Sequence, residues 1–195
     1  MKKVRIRRKS SLIVFLVDLS WSMAVTRRLD STKKAIATIL NKVYQFRDDI
    51  CLITFQGENA AVIIPPTHSV TLAERAMENI PIGGKTPLAS GLTLAYETMH
   101  REEKRYTKDN IFLILLSDCD GNVSVNGGDP GEEAMAAADR IAAAGYRALV
   151  INSDQMTFGE GRANLLAKHL NAECYLIAGL NADHLIKAVR NELIL

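Results

Sequence analysis

The sequence has few cysteines and histidines, so it offers little material for a disulfide framework or a transition-metal site. Cys51, Cys119 and Cys174 are its three cysteines, with no CxxC pair and no neighbouring histidine. The four histidines are scattered, without a second group at the spacing of a metal site or a catalytic dyad. These absences favour a reducing compartment, and we expect the protein to be cytoplasmic.

Long apolar runs and a large excess of one charge are also missing. No apolar run is longer than that at residues 12–17, whereas a membrane-spanning helix needs roughly 20 apolar residues. The chain carries 24 Lys and Arg against 22 Asp and Glu, a net charge of +2. Basic residues concentrate in an N-terminal arm, residues 1–10, which we interpret as a solvated segment. We therefore expect neither a membrane span nor a nucleic-acid partner.

The pattern of apolar residues predicts a single α/β domain over residues 1–195. Apolar segments of strand length alternate with segments of helical period, as in parallel sheets covered on both faces. A further strand at 60–64 follows the strand at 50–55 after a turn too short for a crossover, which predicts an antiparallel hairpin at a sheet edge. The fold class is thus a doubly wound, mostly parallel six-stranded sheet with one antiparallel edge strand and helices on both faces. The other predicted strands are 11–17, 110–117, 146–152 and 174–177; the predicted helices are 31–46, 87–101, 162–170 and 182–191, with two more beginning at caps Thr71 and Asp129.

Polar side chains follow two of the predicted strands, where ligands bind in open α/β sheets. Asp18, Ser20 and Ser22 alternate after the first strand, Asp118 follows the strand at 110–117, and Thr86 ends a Gly-Gly-Lys-Thr loop. Hydroxyl and carboxylate oxygens suit Mg²⁺ or Mn²⁺ rather than zinc or copper. Taken singly, each of these residues is explained by a helix cap or a turn. Taken together, they predict a divalent-cation site.

The same residues resemble a known family. Asp18-x-Ser20-x-Ser22, Thr86 and Asp118 resemble the metal-ion-dependent adhesion site of von Willebrand factor A domains. The stretches at 63–67, 83–92 and 118–122 are similar to the C-terminal A domain of the magnesium chelatase D subunit. The resemblance implies that Ser20, Ser22 and Thr86 bind the ion directly, whereas Asp18 and Asp118 act mainly through water.

The resemblance also implies a function, namely cation-dependent protein binding without catalysis. The implied setting is an ATP-driven metal-insertion complex of tetrapyrrole biosynthesis, in which an acidic residue of a partner, the AAA+ subunit, completes the metal shell. Trp21 stands where the family usually has glycine, and we interpret it as a partner contact on the same rim as Lys85. The AAA+ domain and acidic linker of the D subunit have no counterpart here, so we expect an excised domain or a stand-alone relative.

Two alternatives stay open. The strand at 110–117 followed by Asp118 and Asp120 imitates the nucleophile motif of haloacid-dehalogenase-type phosphatases, in which Asp118 would attack and Asp120 would act as acid and base. The later acids of the chain occur singly, however, rather than as the pair that such an enzyme uses. The second alternative is a von Willebrand A scaffold unrelated to chelation.

Overall fold

The computed structural model describes residues 10–20, 48–69, 71–72, 75, 83–153 and 161–177. The helices predicted at 31–46 and 182–191 lie outside these residues, and so do Trp21 and Ser22. The single-domain interpretation of residues 1–195 stays a prediction.

A six-stranded sheet forms the centre of the structure and confirms the predicted fold class. Its spatial order is β3-β2-β1-β4-β5-β6, and every pair is parallel except the edge pair β2 and β3. The strands are β1 Leu12–Asp18, β2 Asp49–Gln56, β3 Asn59–Thr67, β4 Ile111–Ser117, β5 Arg147–Asn152 and β6 Glu173–Leu176.

The two central strands are apolar along almost their whole length because both of their faces are covered. Every residue of β1 and β4 is buried. Successive side chains of a strand point to opposite faces, so burial of every residue means that neither face meets solvent. The polar exceptions, Asp18 and Ser117, are the last residues of their strands.

The edge strand β3 is longer than the predicted 60–64 segment. It continues through Pro65 and Pro66, with irregular pairing to β2 on either side of Leu52. Proline cannot donate a ladder hydrogen bond and is tolerated mainly at sheet edges or bulges, which is where these two residues lie.

Three helices of the described residues pack on one face of the sheet: α1 Leu88–Glu102, α2 Pro130–Ala143 and α3 Arg162–His169. The predicted Asp129 cap is confirmed, since its Oδ1 accepts from the Glu132 amide at 2.8 Å. The prediction that Thr71 caps a helix is wrong, because Thr71 itself lies in the helix. The Leu72 amide donates instead to Ser69 Oγ, at 3.4 Å.

No helix in the described part of the chain is long and apolar enough to cross a membrane. The three cysteines are free.

Candidate functional site

The predicted ligands among the described residues lie near the point where the strand order reverses. From β1 the sheet extends to β2 on one side and to β4 on the other, which makes the crevice between the carboxyl ends of β1 and β4 the topological switch point. Asp18 ends β1 and Ser117 ends β4, with Asp118 directly after it. The chain therefore places two of the predicted acidic residues at this crevice.

Asp18 is fully buried and accepts hydrogen bonds from Ser20 and Ser117. Its Oδ1 accepts from the Ser20 amide at 2.9 Å, and its Oδ2 accepts from the Ser117 hydroxyl at 2.7 Å. Burial raises the pKa of Asp18 to about 6, and the nearby charge of Asp118 acts in the same direction, against the bonds from Ser20 and Ser117. Two carboxylates thus lie close enough to repel each other in a site that disfavours negative charge.

The segment after β4 turns sharply at Cys119. This buried residue has a φ of 61°, in the left-handed region, and its amide donates to Ser117 Oγ at 2.9 Å. Asp118 Oδ1 accepts from the Asp120 amide at 3.1 Å, while Asp120 itself forms an ion pair with Arg162 at the surface. The turn separates the two aspartates, with Asp118 half-buried at the crevice and Asp120 exposed.

Thr86 reaches the same edge on a turn built by the Gly-Gly-Lys sequence before it. The Gly83 amide donates to the Leu19 carbonyl at 2.8 Å, which joins this turn to the loop after β1. Gly84 has a φ of 89°, and a Cβ there would lie 3.0 Å from the Gly57 Cα, so the turn packs directly on the β2–β3 hairpin. Thr86 is buried, and it is not a helix cap, since α1 begins after Pro87 without a side-chain cap.

The remaining predicted residues are placed as follows. Ser20 is buried next to Asp18, and Lys85 is exposed, with its Nζ 3.8 Å from Glu58 Oε1 on the hairpin turn. Ser22 and Trp21 lie outside the described residues. Within those residues, no group of three or more His, Cys, Asp or Glu side chains is arranged to hold a metal. The candidate ligands are instead a mixed set of hydroxyls and carboxylates, which is the chemistry that suits Mg²⁺ and Mn²⁺.

Two residues of the site are not predicted from the sequence. Ser117 orients Asp18, and Asn122 binds Thr86 through its Oδ1, which accepts from the Thr86 amide at 2.7 Å. Asn122 lies in the 118–122 stretch and Ser117 directly precedes it, but the sequence assigns functions only to Asp118 and, in the phosphatase alternative, to Asp120. Their contacts join residues 99 and 36 positions apart, which local patterns do not reveal.

A recess of about 620 Å³ adjoins this edge between α2 and α3. Leu88, Cys119 and Gly121 line its inner end, and the half-exposed Leu165 lies on its wall.

Comparison with known proteins identifies the family. The family model described as von Willebrand factor type A domain matches residues 13–122, a range that contains every predicted metal ligand. The chain belongs to this family. The fold agrees: the crystal structure of manganese-loaded Plasmodium vivax TRAP protein superposes with a TM-score of 0.70 at 14% identity, covering 95% of this chain and 74% of that one.

Among von Willebrand A relatives of similar sequence are magnesium-chelatase subunits. The chain is 32% identical over 196 residues to the magnesium-chelatase 67 kDa subunit of Chlorobaculum tepidum, covering 94% of this chain but only 31% of the relative. It is also 32% identical over 165 residues to the uncharacterized protein MJ0910 of Methanocaldococcus jannaschii, covering 84% of this chain and 94% of that protein. The chain thus spans about a third of the chelatase relatives that it matches.

Proposed function

We propose that the crevice between β1 and β4 is a metal-ion-dependent adhesion site for Mg²⁺ or Mn²⁺. Ser20, Ser22 and Thr86 bind the ion directly, and Asp18 and Asp118 hold it mainly through water. The observation that carries this proposal is the buried Asp18 carboxylate, fixed by Ser20 and Ser117 beside a second carboxylate. A divalent cation would relieve the repulsion between the two carboxylates.

The ion in turn provides the contact with a partner protein. Magnesium takes six oxygens and keeps some as water, so a position is left for an Asp or Glu from outside the chain. We propose that this residue belongs to the AAA+ subunit of a chelatase-type assembly, which the sequence similarity to chelatase subunits supports. Trp21 and Lys85 flank the contact, and free cysteines suit the cytoplasm that we propose as its location.

The first test measures cation binding by thermal and urea unfolding in Mg²⁺, in Mn²⁺ and in EDTA. An ion that binds only the folded chain stabilises it by about 2.7 kcal/mol at a hundredfold excess over its Kd. Thr86→Val should abolish this gain and Thr86→Ser should retain it, because only serine keeps the hydroxyl. Unfolding that is unaffected by millimolar Mg²⁺ and Mn²⁺ would refute the site.

The second test measures partner binding and catalysis. Capture of a chelatase AAA+ subunit should require the divalent ion and should fail for Asp18→Ala and Thr86→Ala, provided that both variants remain folded. The protein should hydrolyse neither ATP nor an aryl phosphate. Phosphatase turnover that disappears in Asp118→Asn would instead establish the alternative enzyme, in which Asp118 is the nucleophile.

A further inference from the structure

The turn that carries Thr86 is held differently on its two sides. On the side of the hairpin and β1, the bonds run between main chains: Gly57 N to the Lys85 carbonyl at 2.9 Å and Gly83 N to the Leu19 carbonyl. Residues of many kinds can make such bonds. On the other side Asn122 makes a reciprocal pair, with its Oδ1 accepting from Thr86 N at 2.7 Å and its own amide donating to Thr86 O at 3.0 Å.

The approach of Asn122 to Thr86 depends on the residue before it. A Cβ at Gly121 would lie 3.0 Å from Leu88 Cβ, a tight contact that requires Leu88 or the 121 segment to give by a few tenths of an ångström. The far end of the same segment is fixed as well, because Glu133 of α2 accepts from the amides of Val125 and Asn126. The 118–128 segment is thus held at both ends with Asn122 against Thr86.

We infer that Asn122 is a positioning residue of the cation site and acts through Thr86. This inference rests on the proposed function. Asn122 bonds to both the N–H and the carbonyl of buried Thr86, whose carbonyl also accepts from the Leu88 amide at 2.9 Å. The Asn122 side chain is the acceptor of the Thr86 N–H, so it fixes the backbone from which the hydroxyl projects toward the proposed ion. Metal ligands tolerate little displacement, and loss of a residue that orients a ligand typically weakens metal binding 10 to 100-fold.

The test compares Asn122→Ala with Asn122→Asp, which keeps an oxygen acceptor for the Thr86 amide. In EDTA, the Thr86 amide of Asn122→Ala should exchange with solvent at least about tenfold faster than in the wild type. The Kd for Mn²⁺, measured from the EPR signal of free Mn²⁺, should rise about 10 to 100-fold in the same variant. Asn122→Asp should restore both values, and the control Asn126→Ala, in the same segment, should change neither.

The outcomes separate this inference from the proposed function. If wild-type protein binds no Mn²⁺, the proposed site fails and the inference fails with it. If the wild type binds and Asn122→Ala binds equally well, or if its Thr86 amide stays protected, only the inference is refuted. Gly121→Ala is the second variant should Asn122→Ala not fold: it keeps the Asn122 side chain but displaces the segment, so it should show the same two changes.

Discussion

At the scale of single residues, Asp18 should give the metal-free protein a specific pH response. Its pKa rises from 3.8 to about 6 on folding because of burial, so the folded state favours the protonated form. The stability that this proton provides is complete below pH 4 and is lost as the pH rises through 6. The loss amounts to roughly 3 kcal/mol, at 1.36 kcal/mol for each pKa unit. Urea unfolding in EDTA between pH 4 and 7 measures it.

Asp18→Asn is the matched control for this response. The amide keeps the oxygen that accepts from Ser20 but cannot ionise, so this variant should lack the loss between pH 4 and 6. All other titrating groups are common to both proteins. Parallel stability curves for the wild type and Asp18→Asn would show that Asp18 is not the group responsible.

Cys119 provides a test of backbone conformation. Its φ of 61° disfavours any residue with a Cβ, by about 1 kcal/mol relative to glycine. We expect Cys119→Gly to be about 1 kcal/mol more stable than Cys119→Ala in urea unfolding. At Ala136, an exposed position within α2, Ala136→Gly should instead be about 0.5–1 kcal/mol less stable than the wild type. A preference for alanine over glycine at both positions would contradict a left-handed backbone conformation at residue 119.

At the scale of elements, α1 packs on the sheet through Gly91. A Cβ there would lie 2.9 Å from Phe55 Cδ1, on a fully buried ring. Gly91→Ala should therefore destabilise the protein by about 1–3 kcal/mol, although alanine is the better helix former. The double variant with Phe55→Leu should show a favourable coupling above about 0.5 kcal/mol in a double-mutant cycle. If the losses of unfolding free energy in the two single variants are additive, the contact with Phe55 is not the cause of the destabilisation.

The start of α2 is joined to the loop before it by Glu133. Its carboxylate accepts from the amides of Val125, Asn126 and Gly128 and from Ser124 Oγ, bonds that hold its pKa below the usual range. Glu133→Gln removes the charge and should speed amide exchange of these residues, whereas the neighbouring Glu132→Gln should not. The wild-type protection should decline as the pH falls through the lowered pKa. Equal exchange in both variants would exclude Glu133 as the anchor.

The elements that the sequence predicts best are those with the simplest environment. β1 and β4 are covered on both faces, so their segments are continuous apolar runs that are easy to recognise. The predicted β3 is too short because proline cannot donate a ladder hydrogen bond, although the predicted edge position is one where Pro65 and Pro66 are tolerated. Similarly, Thr71 has the sequence of a cap, but Ser69 is better placed for that bond.

In the candidate site too, residues that local sequence identifies differ from residues whose contribution depends on tertiary contacts. The rule that ligands of α/β sheets follow the strands predicts Asp18 and Asp118, because it needs only the strand ends. Thr86 follows no predicted strand and is predicted instead from its Gly-Gly-Lys-Thr loop. Ser117 and Asn122 act on residues far away in the chain, so their contribution depends on how three loops meet. The packing of these loops also depends on Gly84, because the absence of a Cβ there lets the turn before Thr86 pack against the β2–β3 hairpin turn.

At the scale of the whole molecule, the relatives show this domain in two settings. It matches 31% of a chelatase subunit but 94% of MJ0910, so a domain of this type occurs within larger proteins and nearly by itself. A site built within one such domain can therefore be tested with this chain as it stands. The partner that we propose has to be sought among the subunits of a chelatase-type assembly.

The hydrogen bond between Ser117 and Asp18 has a consequence for the order of events in folding. It joins residues 99 positions apart, and closing so long a loop is slow. The proposed cation site should accordingly be complete only after the rate-limiting step, so an ion bound there should leave the folding rate unchanged and slow unfolding. At a hundredfold excess of Mn²⁺ over its Kd, stopped-flow experiments should show unfolding slowed about a hundredfold. Faster refolding in Mn²⁺ would mean that the two strand ends meet early.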